Sequence, residues 1–157
     1  MLSDPHVLEH YIRSALEIKK KFVEEDEFDR GIRNIFNYGH SFGHAIEAAT
    51  NFRIPHGIAV SIGMDMANFV AMNKNICAES LFSNMHSVLD ENSREFRHEV
   101  IDKEIFFTAI SRDKKNLGSE NLNLILPGPK GDIQRMSIKN DQEFRHLCER
   151  YFISYFG

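Results

Sequence analysis

The chain has 157 residues, 42% hydrophobic and 27% charged, with a formal net charge of −4. That length and balance suit one soluble globular domain with its own core. The acidic balance gives no electrostatic case for nucleic acid as a partner, and Cys77 and Cys148, outside any CxxC pair, read as buried thiols rather than a disulfide or a site.

The first helix is predicted to start at Ser3 or Asp4 as N-cap, with Pro5 at the first helical position. Its apolar residues Leu8, Tyr11, Ile12, Ala15, Leu16, Ile18, Phe22 and Val23 recur with helical period, so one stripe is expected to face inward. Lys19 falls on that stripe, and Lys20 and Lys21 do not; a core-facing amine needs a partner, because an unpaired buried charge is costly. The acidic run from Glu24 to Gly31 connects to a second helix predicted from about Arg33 to Thr50. Gly39 and Gly43, poor helix formers, share one face of it, where another element can approach the backbone closely. Pro55 ends that segment, and further helices are expected over about His56 to Met72 and Ala78 to Leu89.

Asp102 is placed to cap a helix through Ser111, Leu122–Leu126 reads as a strand, and the Pro127–Gly131 turn cluster returns the chain through Ile133–Ile138 as a hairpin. Asn140 or Asp141 is placed to cap a last helix to about Tyr151. The expected fold is therefore mainly α, a multi-helix domain with one small β-hairpin, spanning residues 1–157 as a single domain. The N-terminus has neither a basic n-region nor an apolar h-region, so no secretory signal is expected. The longest apolar stretch, Ile58 to Met72, is too short for a bilayer and contains Asp65 and Asn68. It reads as a buried helix in a cytoplasmic protein, with no membrane partner.

Three histidines stand out. His40 and His44 are i,i+4 on the second predicted helix, so their rings share a face. His56 opens the next helix after the turn forced by Pro55, and an antiparallel return would bring it toward His40. Neutral imidazoles from adjacent elements, with one more ligand and an open position, make a catalytic divalent-metal site. A histidine pair at this spacing also occurs as an unconnected surface pair, and spacing alone does not separate the two. The pattern is not HExxH, which disfavours a metalloprotease.

The neighbouring residues add a resemblance. Arg33-Asn34-Ile35-Phe36-Asn37-Tyr38-Gly39-His40-Ser41-Phe42-Gly43-His44-Ala45-Ile46-Glu47 resembles the LRxLLNxGHTxGHAxE signature of the 3-dehydroquinate synthase family of sugar-phosphate cyclases. His56-Gly57-Ile58-Ala59-Val60-Ser61-Ile62-Gly63-Met64 is similar to that family's HGEAVxxGM. Upstream, Glu17-Ile18-Lys19 and the segment Asp26 to Arg33 resemble its EIKxxVVxxDExExGLR; downstream, Arg112-Asp113-Lys114-Lys115 and Leu124-Ile125-Leu126-Pro127 resemble RDKK and LxLP. The elements follow in family order over nearly the whole chain, and the histidine block is the most specific of them.

The resemblance implies the fold of that family's C-terminal domain and a set of roles. His40 and His56 resemble two of three zinc ligands, and the metal is zinc or another divalent ion. His44 resembles the active-site histidine that assists proton movement, with Asn37 and Arg33 as substrate-positioning catalytic residues. Lys19, Lys114 and Lys115 resemble groups that hold the carboxylate or phosphate of a sugar-phosphate substrate; a solvated basic pair is the lesser alternative for Lys114 and Lys115. The implied activity is that of a carbon–oxygen lyase of the shikimate pathway in aromatic amino acid biosynthesis. NAD transiently oxidises a hydroxyl of 3-deoxy-D-arabino-heptulosonate 7-phosphate, phosphate leaves by elimination, the ketone is reduced again, and the ring opens and recloses.

Departures from the family pattern are Ile58 and Asp29, where it has glutamates, and Asn123, where it has an arginine. They leave a paralogous sugar-phosphate cyclase open. Neither the NAD-binding N-terminal domain nor the GxAEVIK-like helix bearing the third zinc ligand is found in this sequence. The expectation is thus a C-terminal part, inactive alone, with no identifiable cofactor-binding residues, whose surface toward the absent domain is exposed or covered in a homodimer. Two further readings stand beside it. One is a metal-dependent polyol dehydrogenase of the same architecture, favoured by Ile54-Pro55-His56-Gly57-Ile58; the other is a non-catalytic truncated helical module.

Overall fold

The computed structural model describes residues 4–28, 31–112 and 120–156. These fall into two units, Met1–Phe36 and Asn37–Gly157.

The first unit is built on α1, Pro5–Glu25. Asp4 caps it, its side chain accepting from the His6 amide at 2.9 Å, with Pro5 at the start of the helix. None of its residues is buried. The apolar stripe expected to face inward is therefore exposed, Leu16 to 62%, because helical period marks a face able to pack without supplying the element that covers it. Lys19 is exposed as well and needs no buried partner. Phe22 meets Phe36 edge to face, ring centres 5.0 Å apart. Asp26 ties down the following turn, its carboxylate accepting from the amides of Gly31 at 2.8 Å and Arg33 at 3.1 Å.

The helix predicted from Arg33 to Thr50 is instead two pieces, a 3-10 segment Ile32–Asn37 and α2, His40–Ala49. The reason is Gly39, which sits in the left-handed region at φ 77° and breaks the first ladder before α2 begins. After α2, Thr50 bonds back to the Ile46 carbonyl at 2.8 Å, and fully buried Ile54 anchors the turn. Pro55, extended at φ −62° and ψ 147°, then starts α3, His56–Asn73. There follow α4, Glu79–Ser93; a short 3-10 turn, Arg94–Phe96; α5, Lys103–Arg112; the antiparallel pair β1, Asn121–Pro127, and β2, Ile133–Lys139; and α6, Gln142–Tyr155. Asp102 and Asp141 cap α5 and α6 through the amides of Ile105 and Phe144. No described helix is long and apolar enough to cross a membrane.

α3 is the central element, packed by α2, α4, α6 and β1. It buries residues on every side, from Ala59 and Val60 to Val70 and Ala71, as a helix apolar all round must. Phe42, Ile62, Met66, Phe106, Leu124 and Phe144 fill the surrounding core, and Cys77 and Cys148 are buried free thiols. α2 lies against α3 at backbone distance. A Cβ on Gly63 would fall 2.1 Å from the Gly39 carbonyl oxygen and 2.7 Å from the Gly43 nitrogen.

Two polar residues of α3, Asp65 and Asn68, are buried and bonded inside the core, both partners of Asp65 meeting Oδ2 while its Oδ1 has no hydrogen-bond partner among the described residues. The Asp65 carboxylate accepts from Tyr151 Oη at 2.7 Å and pairs with His86 Nδ1 at 2.8 Å; Asn68 accepts from the Tyr38 hydroxyl. Burial raises the Asp65 carboxyl above the ordinary carboxylate range, against the lowering effect of Tyr151, His86 and Arg97.

Two outcomes are expected. Gly63→Ala should lower the unfolding free energy by about 3 kcal/mol or more, since the clash is with backbone that cannot rotate away; a change under about 0.5 kcal/mol in urea unfolding would contradict the close approach. The raised Asp65 group stabilises the fold when protonated. That contribution is complete below the unfolded carboxylate range, about pH 4, and is lost as pH rises through the folded value. The stability of the wild type relative to Asp65→Asn should therefore fall as pH rises above about 4, measured by urea midpoints; a rise would refute the assignment.

Candidate metal and substrate site

The second unit brings His40, His44 and His56 together. Gly39 sets the start of α2 so that His40 is its first residue, His44 follows one turn later, and Pro55 makes His56 the first residue of α3. The three ring centres are 5.6 Å apart in every pairing. The His44 and His56 planes lie within 23° of one another, and His40 stands edge-on to both at 83° and 63°.

Each outer ring has its Nδ1 engaged. His40 Nδ1 lies 3.3 Å from the Tyr38 carbonyl oxygen, and His56 Nδ1 lies 3.2 Å from both carboxylate oxygens of Glu47. Glu47 is 8% exposed, whereas His56 and His44 are open to solvent and His40 is half-buried. Ligand atoms of His44, Glu47 and His56 all lie within 4.8 Å of one another. Sequence reasoning on the histidines alone passes over Glu47. The available signal is its position on the histidine face of α2, three residues after His44, as an acid in an otherwise apolar run.

The remaining expected site residues are distributed as follows. Asn37, half-buried, ends the 3-10 segment three residues before His40. Arg33 and Lys19 belong to the first unit. There Arg33 is half-buried and donates from Nη1 to the Glu27 carbonyl at 3.1 Å, and Lys19 is exposed on α1. Lys114 and Lys115 lie outside the described residues, as does Asp29. Ile58 packs partly buried against the apolar core, and Asn123 is on β1 facing Ser137.

The cluster offers three imidazole rings and one buried carboxylate on two helices locked together through glycine. Such a donor set suits a borderline divalent cation, with solvent-open rings leaving room for a small oxygen ligand.

Comparison with known proteins places this arrangement. Residues 1–116 match the family described as 3-dehydroquinate synthase C-terminal. The 3-dehydroquinate synthase of Thermoanaerobacter sp. (strain X514) is 36% identical over 141 residues, covering 89% of this chain and 39% of the relative. That of Sulfurimonas denitrificans is 38% identical over 133 residues, covering 84% and 38%. The chain thus spans about two fifths of the length of these curated relatives. A crystal structure of 2-deoxy-scyllo-inosose synthase, complexed with carbaglucose-6-phosphate, NAD+ and Co2+, shares the fold with a TM-score of 0.80 at 24% identity, over 98% of this chain and 43% of that one. On the family match and these sequence identities, the chain belongs to the 3-dehydroquinate synthase C-terminal family.

Proposed function

We propose that this chain is the metal- and substrate-binding part of a 3-dehydroquinate synthase-type enzyme. Its reaction is the NAD- and zinc-dependent cyclisation of 3-deoxy-D-arabino-heptulosonate 7-phosphate with loss of phosphate. The observation that carries the reading is the triangle of imidazoles at 5.6 Å within a segment of matching family signature.

The residues fit a divalent metal. His40 and His56 would hold it through Nε2, since their Nδ1 atoms are occupied by the Tyr38 carbonyl and Glu47. When bound, the metal supplies Lewis-acid polarisation of a substrate hydroxyl and NAD supplies a hydride acceptor. His44 is solvent-open beside both rings and is the group placed to take and return a proton at the polarised hydroxyl. Asn37, half-buried three residues before His40, positions the same hydroxyl region. The guanidinium of Arg33 and the amines of Lys19, Lys114 and Lys115 would hold carboxylate and phosphate, for which a planar fork and a point charge are respectively suited. The nucleotide is held by protein outside these residues, and two histidines leave a catalytic zinc one protein ligand short.

The glutamates of the family pattern are Ile58 and Asp29 here, and Ile58 packs toward the core, which favours a paralogous sugar phosphate as the second reading. Assays with the heptulosonate phosphate are therefore run beside a hexose 6-phosphate and a polyol.

His40→Ala and His56→Ala should each weaken Zn2+ or Co2+ binding, read by calorimetry, by more than about tenfold (about 1.4 kcal/mol), and His44→Ala by less. Equal losses for all three, or none, would remove the ligand assignment. The chain alone, with NAD and zinc, should release no phosphate. Release should appear on mixing with the separately expressed remainder of the Sulfurimonas denitrificans relative. Turnover by the chain alone refutes the division of labour, and net NADH from a polyol moves the reading to a dehydrogenase.

A further inference from the structure

The partners of the two outer histidines have one property in common: neither can donate a hydrogen bond. The Tyr38 carbonyl oxygen, 3.3 Å from His40 Nδ1, only accepts, and the two carboxylate oxygens of Glu47, each 3.2 Å from His56 Nδ1, are placed as acceptors. The proton of each contact therefore sits on Nδ1. A neutral imidazole carries one ring proton, so in His56 Nε2 is left with its lone pair. Among the described residues His44, the third ring of the triangle, makes no such hydrogen bond.

We propose that Glu47 is the positioning residue of this site: it fixes His56 in the Nδ1–H tautomer and holds the ring so that Nε2 is the ligating atom. This rests on the metal reading above and adds the device that prepares the ligands before any ion arrives.

The structure suits Glu47 to the task. Its side chain is almost wholly buried, while the ring it holds is more than half exposed, at 11% and 55%. Water competes little at the carboxylate end and freely at the Nε2 end. In solution a neutral histidine favours the opposite tautomer, with the proton on Nε2, where it blocks ligation; an acceptor at Nδ1 reverses that preference. Glu47 belongs to α2 and His56 to α3, so the contact spans the two helices at the end where the imidazoles meet. A separation of 3.2 Å is also what two ligands of a single ion show, and direct ligation by Glu47 is the alternative that the experiment must separate.

The test uses the whole chain. Long-range 1H–15N spectra of the metal-free protein at about pH 8, where an ordinary imidazole is neutral, should show the His56 proton on Nδ1. In Glu47→Ala the pattern should revert to Nε2–H, and Glu47→Gln, which keeps an acceptor oxygen, should largely retain Nδ1–H. Zn2+ affinity should fall by about 10- to 100-fold in Glu47→Ala and by only a few-fold in Glu47→Gln, with thermal melts of the metal-free variants reporting that each is folded. On adding Zn2+ to the wild type, the His56 nitrogen whose resonance moves on coordination should be Nε2.

A wild-type His56 with its proton on Nε2 overturns the proposal without needing any variant. So does coordination through Nδ1, and so does an affinity loss in Glu47→Gln as large as in Glu47→Ala, which would make the carboxylate a ligand. A wild type that shows the Nδ1–H tautomer but takes up no Zn2+ would sink the metal reading alone and leave the tautomer assignment standing.

Discussion

The structure depends on one steric constraint, the approach of α2 and α3 to backbone contact. Gly63 lies against the Gly39 carbonyl and the Gly43 nitrogen, and a Cβ on Gly39 would itself meet Val60 and Met64 backbone atoms at 2.7 Å. With side chains at those positions the two helices would stand apart by the width of at least a methyl group, since packed interiors have no slack to absorb it. The His40 and His56 rings, each at the first residue of its helix, would then separate by a comparable amount. Metal ligation tolerates little error in distance, so glycines that carry no chemistry govern whether the chemistry can be assembled.

The same pair of helices carries polar groups in two regions with opposite physical demands. Toward α4 and α6, Asp65 and Asn68 are sealed in the core and bonded by His86, Tyr151 and Tyr38. Such groups hold helices in one arrangement because a shifted helix would leave a buried charge unpaired. Where the imidazoles meet, His44 and His56 are open to solvent, His40 is half-buried and Glu47 is buried. A buried network that specifies packing and an open one that can admit a ligand share α3, which carries Asp65 and Asn68 in the first and His56 in the second.

Within the first unit, α1 buries nothing and yet carries Leu8, Ile12 and Leu16 on one side. Unlike α3, whose apolar surface is spent on neighbours all round, α1 keeps its stripe exposed, and its ends are set instead by local devices, the Asp4 cap and the Asp26 turn. Capping and turn hydrogen bonds are satisfied by nearby chain, whereas a stripe is satisfied only by another element.

Local rules accounted for much of what the amino-acid sequence by itself determined. Asp4, Asp102 and Asp141 cap where their side chains can reach an amide two or three residues on, Pro127 to Gly131 turns the hairpin, and the i,i+4 spacing of His40 and His44 puts two rings on one face whatever surrounds them. The family signature was legible in the same residues. The tertiary structure alone decided the rest, because it turned on contacts between segments distant in sequence. The predicted helix through Gly39 broke there since that glycine adopts a left-handed conformation that lets α3 pass close by. The α1 stripe lay open since nothing in its unit covers it. Glu47, read only as one letter of a signature, became the anchor of the His56 ring because the turn through Ile54 and Pro55 brings α3 back to it. A pattern along one helix can say which side chains share a face, but which face meets which is settled by the packing energy of the whole core.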